Sequence, residues 1–175
     1  MTGPTGWDGI LDTSETILWQ GRPDGKVIFR LSNFVGFVFG LFFAGFALFW
    51  MVLASSAGGA FWMFGLIHFF AGLGVAFGAM FWSAWRRRHT WYTLTDRRAF
   101  IATDLPFRGR SLKSYPITRE TVLEYDGADP ATIHFNHEMR RGKNGQYRVD
   151  VGFERITDGA EVYRQMRDIQ KRLAS

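Results

Sequence analysis

The sequence predicts an α+β membrane protein in which a two-helix transmembrane hairpin precedes a small β domain with a C-terminal α-helix. Three observations support this fold class. None of the 21 basic and 16 acidic residues of the 175-residue chain lies between Leu31 and Trp85. Beyond that stretch, short runs of alternating apolar and polar residues are typical of strands. The chain then ends in an apolar stripe with helical spacing.

The uncharged stretch is too long for one transmembrane helix, so it is predicted to fold back on itself. As a single helix it would run roughly 80 Å, against about 30 Å for the hydrocarbon core of a bilayer. The turn is expected at residues 54–59, where small residues replace large apolar ones. This assigns residues 31–53 and 60–85 to two spans, each long enough to cross a bilayer with some tilt. Residues 1–30 form an N-terminal segment and residues 86–175 the β domain.

Basic residues flank the hairpin at its two chain ends, and this predicts its orientation. Lys26 and Arg30 precede the first span and Arg86, Arg87 and Arg88 follow the second, whereas the connecting turn carries no charge. Under the positive-inside rule, the N- and C-termini both face the cytoplasm. The first 30 residues lack the basic start and short apolar core of a cleaved signal peptide. We therefore expect a multi-pass protein of the plasma membrane.

Each predicted span contains one pair of glycines four residues apart, a spacing that lets helices approach closely. The pairs are Gly36 with Gly40, and Gly74 with Gly78. Gly36 and Gly78 are expected at similar depth in the inner half of the membrane. The two helices could therefore pack on each other there, or the pairs could support a homo-oligomer.

His68 is the one ionisable side chain within the predicted spans. Such a residue is a candidate functional site. With no charged partner in either span, a hydrogen bond to the facing helix is expected rather than a proton relay. A small channel or transporter subunit is an alternative function that depends on this residue alone.

The β domain is predicted to contain five or six short strands. A turn at Asp96-Arg97-Arg98 separates the first two, and Asn144-Gly145 is a hairpin turn signal. The clearest strand places Tyr147 and Phe153 on one face and Arg148 on the other. The predicted strand segments are Thr90–Thr95, Ala99–Thr103, Leu112–Ile117, Thr121–Tyr125, the residues around Ile133 and Phe135, and Gln146–Arg155.

The C-terminal helix is predicted over residues 158–174, with Asp158 as its N-cap and Glu161 completing a capping box. Its apolar stripe consists of Val162, Met166, Ile169 and Leu173. We expect this stripe to pack on the sheet, since small strands need a cover. Lying on the membrane surface is the alternative for a basic amphipathic helix.

Three segments resemble the bacterial pleckstrin-homology-like membrane proteins. They are Thr93–Ile101 with its Thr-Asp-Arg-Arg turn, Ser114–Ile117, and the lead-in Glu15–Pro23. The resemblance implies a seven-stranded, bent and partly open β-barrel or sandwich capped by the C-terminal helix. Ile17–Gln20 is the candidate for a missing strand. It further implies a non-enzymatic scaffolding module at the cytoplasmic face of the bacterial inner membrane, with an as yet unidentified protein partner.

No arrangement of residues predicts catalysis, so an enzyme is not expected. His134 and His137 are three apart on a predicted strand and should face opposite sides, which disfavours a shared metal ion. Gly72-Leu73-Gly74 lies inside a predicted span and cannot be a phosphate loop. Cysteine is absent, so no thiolate metal site exists. No cofactor and no metal ion are predicted.

The arginines next to the membrane are candidate contacts to anionic lipid headgroups. Arg86, Arg87 and Arg88 follow the second span directly, and Arg97 and Arg98 occupy the first turn of the β domain. Each cation near an anionic leaflet contributes about 1 kcal/mol of attraction. These residues either fix the topology or make the domain a lipid sensor, which is the first alternative to a scaffolding function, ahead of a channel or transporter subunit. No recognition motif for nucleic acid accompanies them.

Overall fold

The computed structural model describes residues 6–29, 31–106, 109–143 and 145–174. Arg30 and Asn144, which contribute to the predicted orientation and to the predicted hairpin turn, lie outside these residues. The chain divides into two compact units. The helical unit is Gly25–Arg86. The β unit combines the described residues up to Asp24 with those from Arg87 onwards, so most of the N-terminal segment belongs to it.

The helical unit contains α1 (Phe34–Ser56) and α2 (Phe64–Arg88), each preceded by one short 3-10 turn. Both helices are long and apolar enough to cross a membrane, with a mean hydropathy of 2.3 and 1.8 in their most apolar stretches. The turn between them falls three residues later than predicted. Ser55 and Ser56 are still helical, and their hydroxyls donate to the carbonyls of Val52 and Leu53. Gly58, at φ +78°, then turns the chain.

The two helices meet at Gly40 of α1 and Gly72 of α2. A Cβ added at Gly72 would lie 2.7 Å from the Ala44 backbone nitrogen, and one at Gly40 would overlap the Ala76 backbone. Each helix thus offers a glycine and an alanine four residues apart. Of the glycines singled out in the sequence, Gly40 lies in this contact and Gly36 at its margin. A Cβ at Gly74 or Gly78 would meet no atom within 4 Å, so these two face away and the expected pairing of Gly36 with Gly78 is not formed.

The β unit begins with a four-stranded antiparallel sheet in the order β1-β2-β3-β4. Ile17–Gly21 is the edge strand β1, where the candidate Ile17–Gln20 was expected, and Gln20 lies opposite Thr93. The predicted turn at Asp96 connects β2 and β3. The strands are β1 (Ile17–Gly21), β2 (Thr90–Thr95), β3 (Arg98–Leu105) and β4 (Gly109–Pro116).

A second antiparallel sheet has the order β5-β6-β7. β5 (Glu124–Tyr125) is shorter than predicted, whereas β6 (Ala131–Gly142) and β7 (Gly145–Ile156) form a long hairpin. The far half of that hairpin leaves the core, so Tyr147 is 53% exposed while Phe153 on the same strand is fully buried. The described strands therefore form two separate sheets and no closed barrel.

The C-terminal helix α3 (Gly159–Arg172) covers the core of the β unit. Val162, Met166 and Ile169 are fully buried in one cluster with side chains of both sheets, among them Leu94 and Phe153. The prediction that the stripe packs on the sheet is thus confirmed for these three residues. Leu173, predicted to belong to the stripe, is 57% exposed because α3 ends at Arg172.

The predicted capping box of α3 is not formed. Asp158 does precede the helix, but its side chain makes no capping hydrogen bond. Instead, its Oδ2 accepts a hydrogen bond from Trp19 Nε1 at 3.2 Å. Glu161 accepts from Gln165 within the helix. A contact with β1, distant in sequence, has replaced the local one.

Candidate functional site

The N-terminal segment Trp7–Glu15 lies across the outer face of the first sheet. The Trp7 ring packs edge-on against Phe100 of β3, with centroids 5.1 Å apart. Phe100 is consequently only 2% exposed, although it lies on the face of the sheet opposite to the main core. The segment therefore forms a wall on a sheet face that would otherwise be open.

Glu15 fastens this segment to the turn between β2 and β3. Its side chain is fully buried and forms an ion pair with Arg98 at 2.7 Å, while the Thr95 hydroxyl donates to it at 2.6 Å. The hydrogen bonds from Arg98 outweigh the effect of burial and lower the pKa of the Glu15 carboxyl from 4.5 to about 2. Asp12 adds a second carboxylate 3.0 Å from Arg98. The wall is thus held by charge-assisted hydrogen bonds.

A cleft of about 740 Å³ lies beside this wall. Its floor is formed by Trp91, Ala102 and Leu112, which are register partners on β2, β3 and β4. Because partners in antiparallel strands point to the same face, these three side chains form one apolar strip across the sheet. Trp7 and Ile10 line the cleft from the N-terminal segment. Leu112 is 44% exposed, so the strip is accessible from solvent.

Charged side chains line the rim of the cleft. The Arg22 guanidinium lies 4.4 Å from the centre of the Trp91 ring, which is cation–π geometry. Across the floor, Arg110 Nε donates to Asp104 Oδ2 at 3.2 Å. The rim has a net positive charge, because two of these residues are arginines and one is an aspartate.

This arrangement is suited to binding. Tryptophan and arginine around an apolar depression are the residues that dominate binding energy at protein interfaces. Small-molecule and peptide sites share this mostly apolar, concave form with a few polar groups. β4 also carries no strand on the side opposite to β3 within the described part of the chain. Sequence reasoning missed Trp91, Trp7 and Ile10 as site residues. Alternation along Thr90–Thr95 is a signal for the outward face of Trp91, but no local signal places Trp7 and Ile10 beside it.

The arginines predicted to contact lipid have different environments. Arg98 forms ion pairs with Glu15 and Asp12 inside the β unit. Arg97 is half exposed and donates to the Ser14 hydroxyl at 3.1 Å. Arg87 is only 3% exposed and donates to the Asp24 carbonyl at 2.9 Å. Arg86 and Arg88 are exposed.

His68 bonds to its own helix rather than to the facing one. Its Nδ1 lies 3.3 Å from the Phe64 carbonyl oxygen, one turn earlier in α2. A side chain four residues further along a helix lies above the earlier residue, so this local contact competes with one across the hairpin.

His134 and His137 line the same groove, of about 290 Å³, beside β5 and β6. The expectation that they face opposite sides is wrong because the register of β6 shifts between His134 and Asn136. Such a bulge reverses the alternation of side chains. No group of three or more potential metal ligands occurs among the described residues.

Comparison of the chain with protein-family models, curated proteins and solved structures finds no match. By its fold, the chain is an α+β protein with two long apolar helices and two antiparallel sheets covered by a C-terminal helix. The candidate site is the cleft, which both the sheet and the N-terminal segment build.

Proposed function

We propose that this protein is a membrane-anchored, non-enzymatic interaction module. The helical unit spans the bacterial inner membrane as a hairpin with both chain ends in the cytoplasm. Only 22% of the apolar stretch of each helix is buried, whereas the core helix of a water-soluble protein is mostly buried. The outward Phe42 and Val35, 74% and 77% exposed, need an apolar surrounding that lipid supplies.

The β unit is proposed to be a pleckstrin-homology-like domain. Two antiparallel sheets of four and three strands share their core with α3. The sequence pattern from Thr90 onwards contains fewer strands than the seven that the resemblance implies, and β1 supplies a further one. This arrangement supports the resemblance in the Thr95-Asp96-Arg97-Arg98 turn, although the described strands do not close into a barrel.

The cleft over Trp91 is the observation that carries the proposed function. Its partner is an extended protein segment with one bulky apolar side chain next to a carboxylate. The apolar side chain would cover Trp91, Ala102 and Leu112, since burying such a side chain contributes about 1.5–3 kcal/mol. The carboxylate would lie at the rim near Arg22 and Arg110, where positive charge predominates.

Site-specific photo-crosslinking in native membranes tests this proposal. A benzophenone amino acid is placed at Leu112, in the floor of the cleft, and in a control chain at Val122. Val122 is an aliphatic residue that is 71% exposed and does not line the cleft. Adducts are sized and identified by mass spectrometry. A further variant combines the probe at position 112 with Trp91→Ala.

A discrete protein adduct is expected from position 112 but not from 122, and Trp91→Ala should abolish it. Lipid adducts alone from position 112 would contradict the scaffold function and support lipid sensing instead. Identical adducts from both positions, or none from position 112, would contradict the cleft as the partner site.

A further inference from the structure

A pocket in the helical unit, called the cavity below, is lined by four aromatic side chains and His68. It is open on one side, where Phe46 and Phe64 are 60% and 58% exposed. Its volume is about 200 Å³, and the rings belong to Phe43, Phe46, Trp50 and Phe64. An apolar cavity of about 150 Å³ is enough to hold benzene in another protein. The cavity therefore has room for one six-membered ring with a small substituent. It involves no residue of the β unit and does not depend on what the cleft binds.

The hydrogen bond of His68 defines what its second nitrogen can do. A carbonyl oxygen only accepts, so Nδ1 must carry the hydrogen in the contact with Phe64. In a neutral imidazole, Nε2 is then the acceptor. Within the described part of the chain, no residue donates a hydrogen bond to Nε2. His68 lines the cavity between the rings of Phe43 and Phe64, at centroid distances of 6.1 and 5.2 Å.

We propose that this cavity binds a lipid-soluble phenol or hydroquinone ring whose hydroxyl donates a hydrogen bond to His68 Nε2. The aromatic walls suit an aromatic ring, since edge-to-face contacts between aromatic rings are favourable. The hydroxyl supplies the donor that Nε2 lacks, and in an apolar environment an unpaired polar group is costly. A lipid acyl chain could fill the same space but has no donor. An ether or a ketone offers only acceptors.

Two matched probes separate the role of the hydroxyl from that of the ring. They are para-fluorophenol and para-fluoroanisole, which differ by methylation of the oxygen and hence by loss of the donor. The full-length protein is placed in nanodiscs of zwitterionic lipid, and binding is followed by fluorine NMR. Partitioning into the bilayer is subtracted with empty nanodiscs.

The variants are His68→Phe, which keeps a ring but removes the acceptor, and His68→Gln, whose amide oxygen restores one. Phe70→Leu is the control, because Phe70 is on the same helix, 63% exposed and outside the cavity. Helical circular dichroism verifies that each variant retains α1 and α2.

Saturable binding of the phenol is expected to be about tenfold tighter than that of the anisole, as one hydrogen bond in an apolar site provides. His68→Phe should remove this preference, His68→Gln should retain part of it, and Phe70→Leu should leave it unchanged. Equal binding of both probes to the wild type, or a preference that survives in His68→Phe, would overturn the proposal. So would the absence of saturable binding, as expected if a lipid chain or a second copy of the protein fills the cavity.

Discussion

Glu15 and Arg98, which are 83 positions apart in the chain, form an ion pair whose carboxylate is fully buried. Arg98 donates to this carboxylate through both Nε and Nη2. Through this pair, the segment that carries Trp7 and Ile10 is attached to the sheet that carries Trp91. The pair therefore helps to hold the wall of the proposed partner site against its floor, together with the Asp12–Arg98 ion pair and the Trp7–Phe100 ring contact.

Glu15→Gln is expected to destabilise the β unit by about 3 kcal/mol, because it leaves the Arg98 guanidinium without its buried counter-charge. Thermal unfolding followed by tryptophan fluorescence measures the loss. Glu124→Gln, at an exposed position of β5, is the matched control and should change little. A Glu15→Gln midpoint equal to that of the wild type would show that the pair does not hold the segment.

The same pair predicts a dependence of stability on pH. The pKa of Glu15 is about 2 in the folded protein, against 4.5 for an ordinary glutamate. Because the folded pKa is the lower one, the contribution is fully present above about pH 5 and disappears as the pH falls towards 2. At neutral pH, the lowered pKa of Glu15 contributes about 3 kcal/mol to the free energy of unfolding. Chemical denaturation should give a stability difference between wild type and Glu15→Gln that shrinks over this range; a constant difference would contradict the assignment.

Alanine substitutions at two glycines are expected to have opposite effects on the helical unit. Gly40→Ala pushes a methyl group into the Ala76 backbone and should cost about 2 kcal/mol, as overpacking does. Gly74→Ala meets no atom within 4 Å and should stabilise α2 by about 0.5 kcal/mol through helix propensity. Loss of helicity during titration with a denaturing detergent ranks the variants. If Gly74→Ala proved the more damaging, the helices would pack through the other face of α2.

Tyr115→Phe is expected to reduce stability by about 1–2 kcal/mol, since its hydroxyl donates to the Glu138 carboxylate at 2.6 Å. Burial raises the pKa of Tyr115, so the hydroxyl stays a donor throughout the ordinary pH range. Tyr147→Phe removes the same atom from a side chain that is 53% exposed and should be nearly neutral. Urea unfolding of both variants tests this difference, and equal effects would refute it.

The sequence predicted the strands and helices whose pattern is formed by residues close together in the chain. Alternation was sufficient for the strand at Gln146–Arg155, and helical spacing was sufficient for the buried stripe Val162, Met166 and Ile169. The limits of these elements were less predictable, because no repeating pattern marks the residue at which an element ends. α3 ends before Leu173 and leaves it exposed, and α1 continues through Ser55 and Ser56 past the expected turn.

The candidate site was not predictable from local patterns. The cleft needs Trp7 beside Trp91, and no periodicity relates two positions so far apart. The helix contact was missed for a related reason: glycine spacing fits several faces, and the rotation of α2 selects Gly72 instead of Gly74. At His134 and His137, one irregular step in β6 reversed an inference that assumed a regular strand.

The place of β1 in the first sheet has a consequence for biosynthesis. Gly21 pairs with Tyr92, so the whole helical unit occupies the position of a turn between two neighbouring strands. On the ribosome, β1 emerges first and must stay without its neighbour until both helices and then β2 have been made. The sheet can therefore be completed only after the apolar helices have left the ribosome. A chain interrupted at that stage would keep the edge of β1 unpaired, and such an edge is a template for aggregation with other chains.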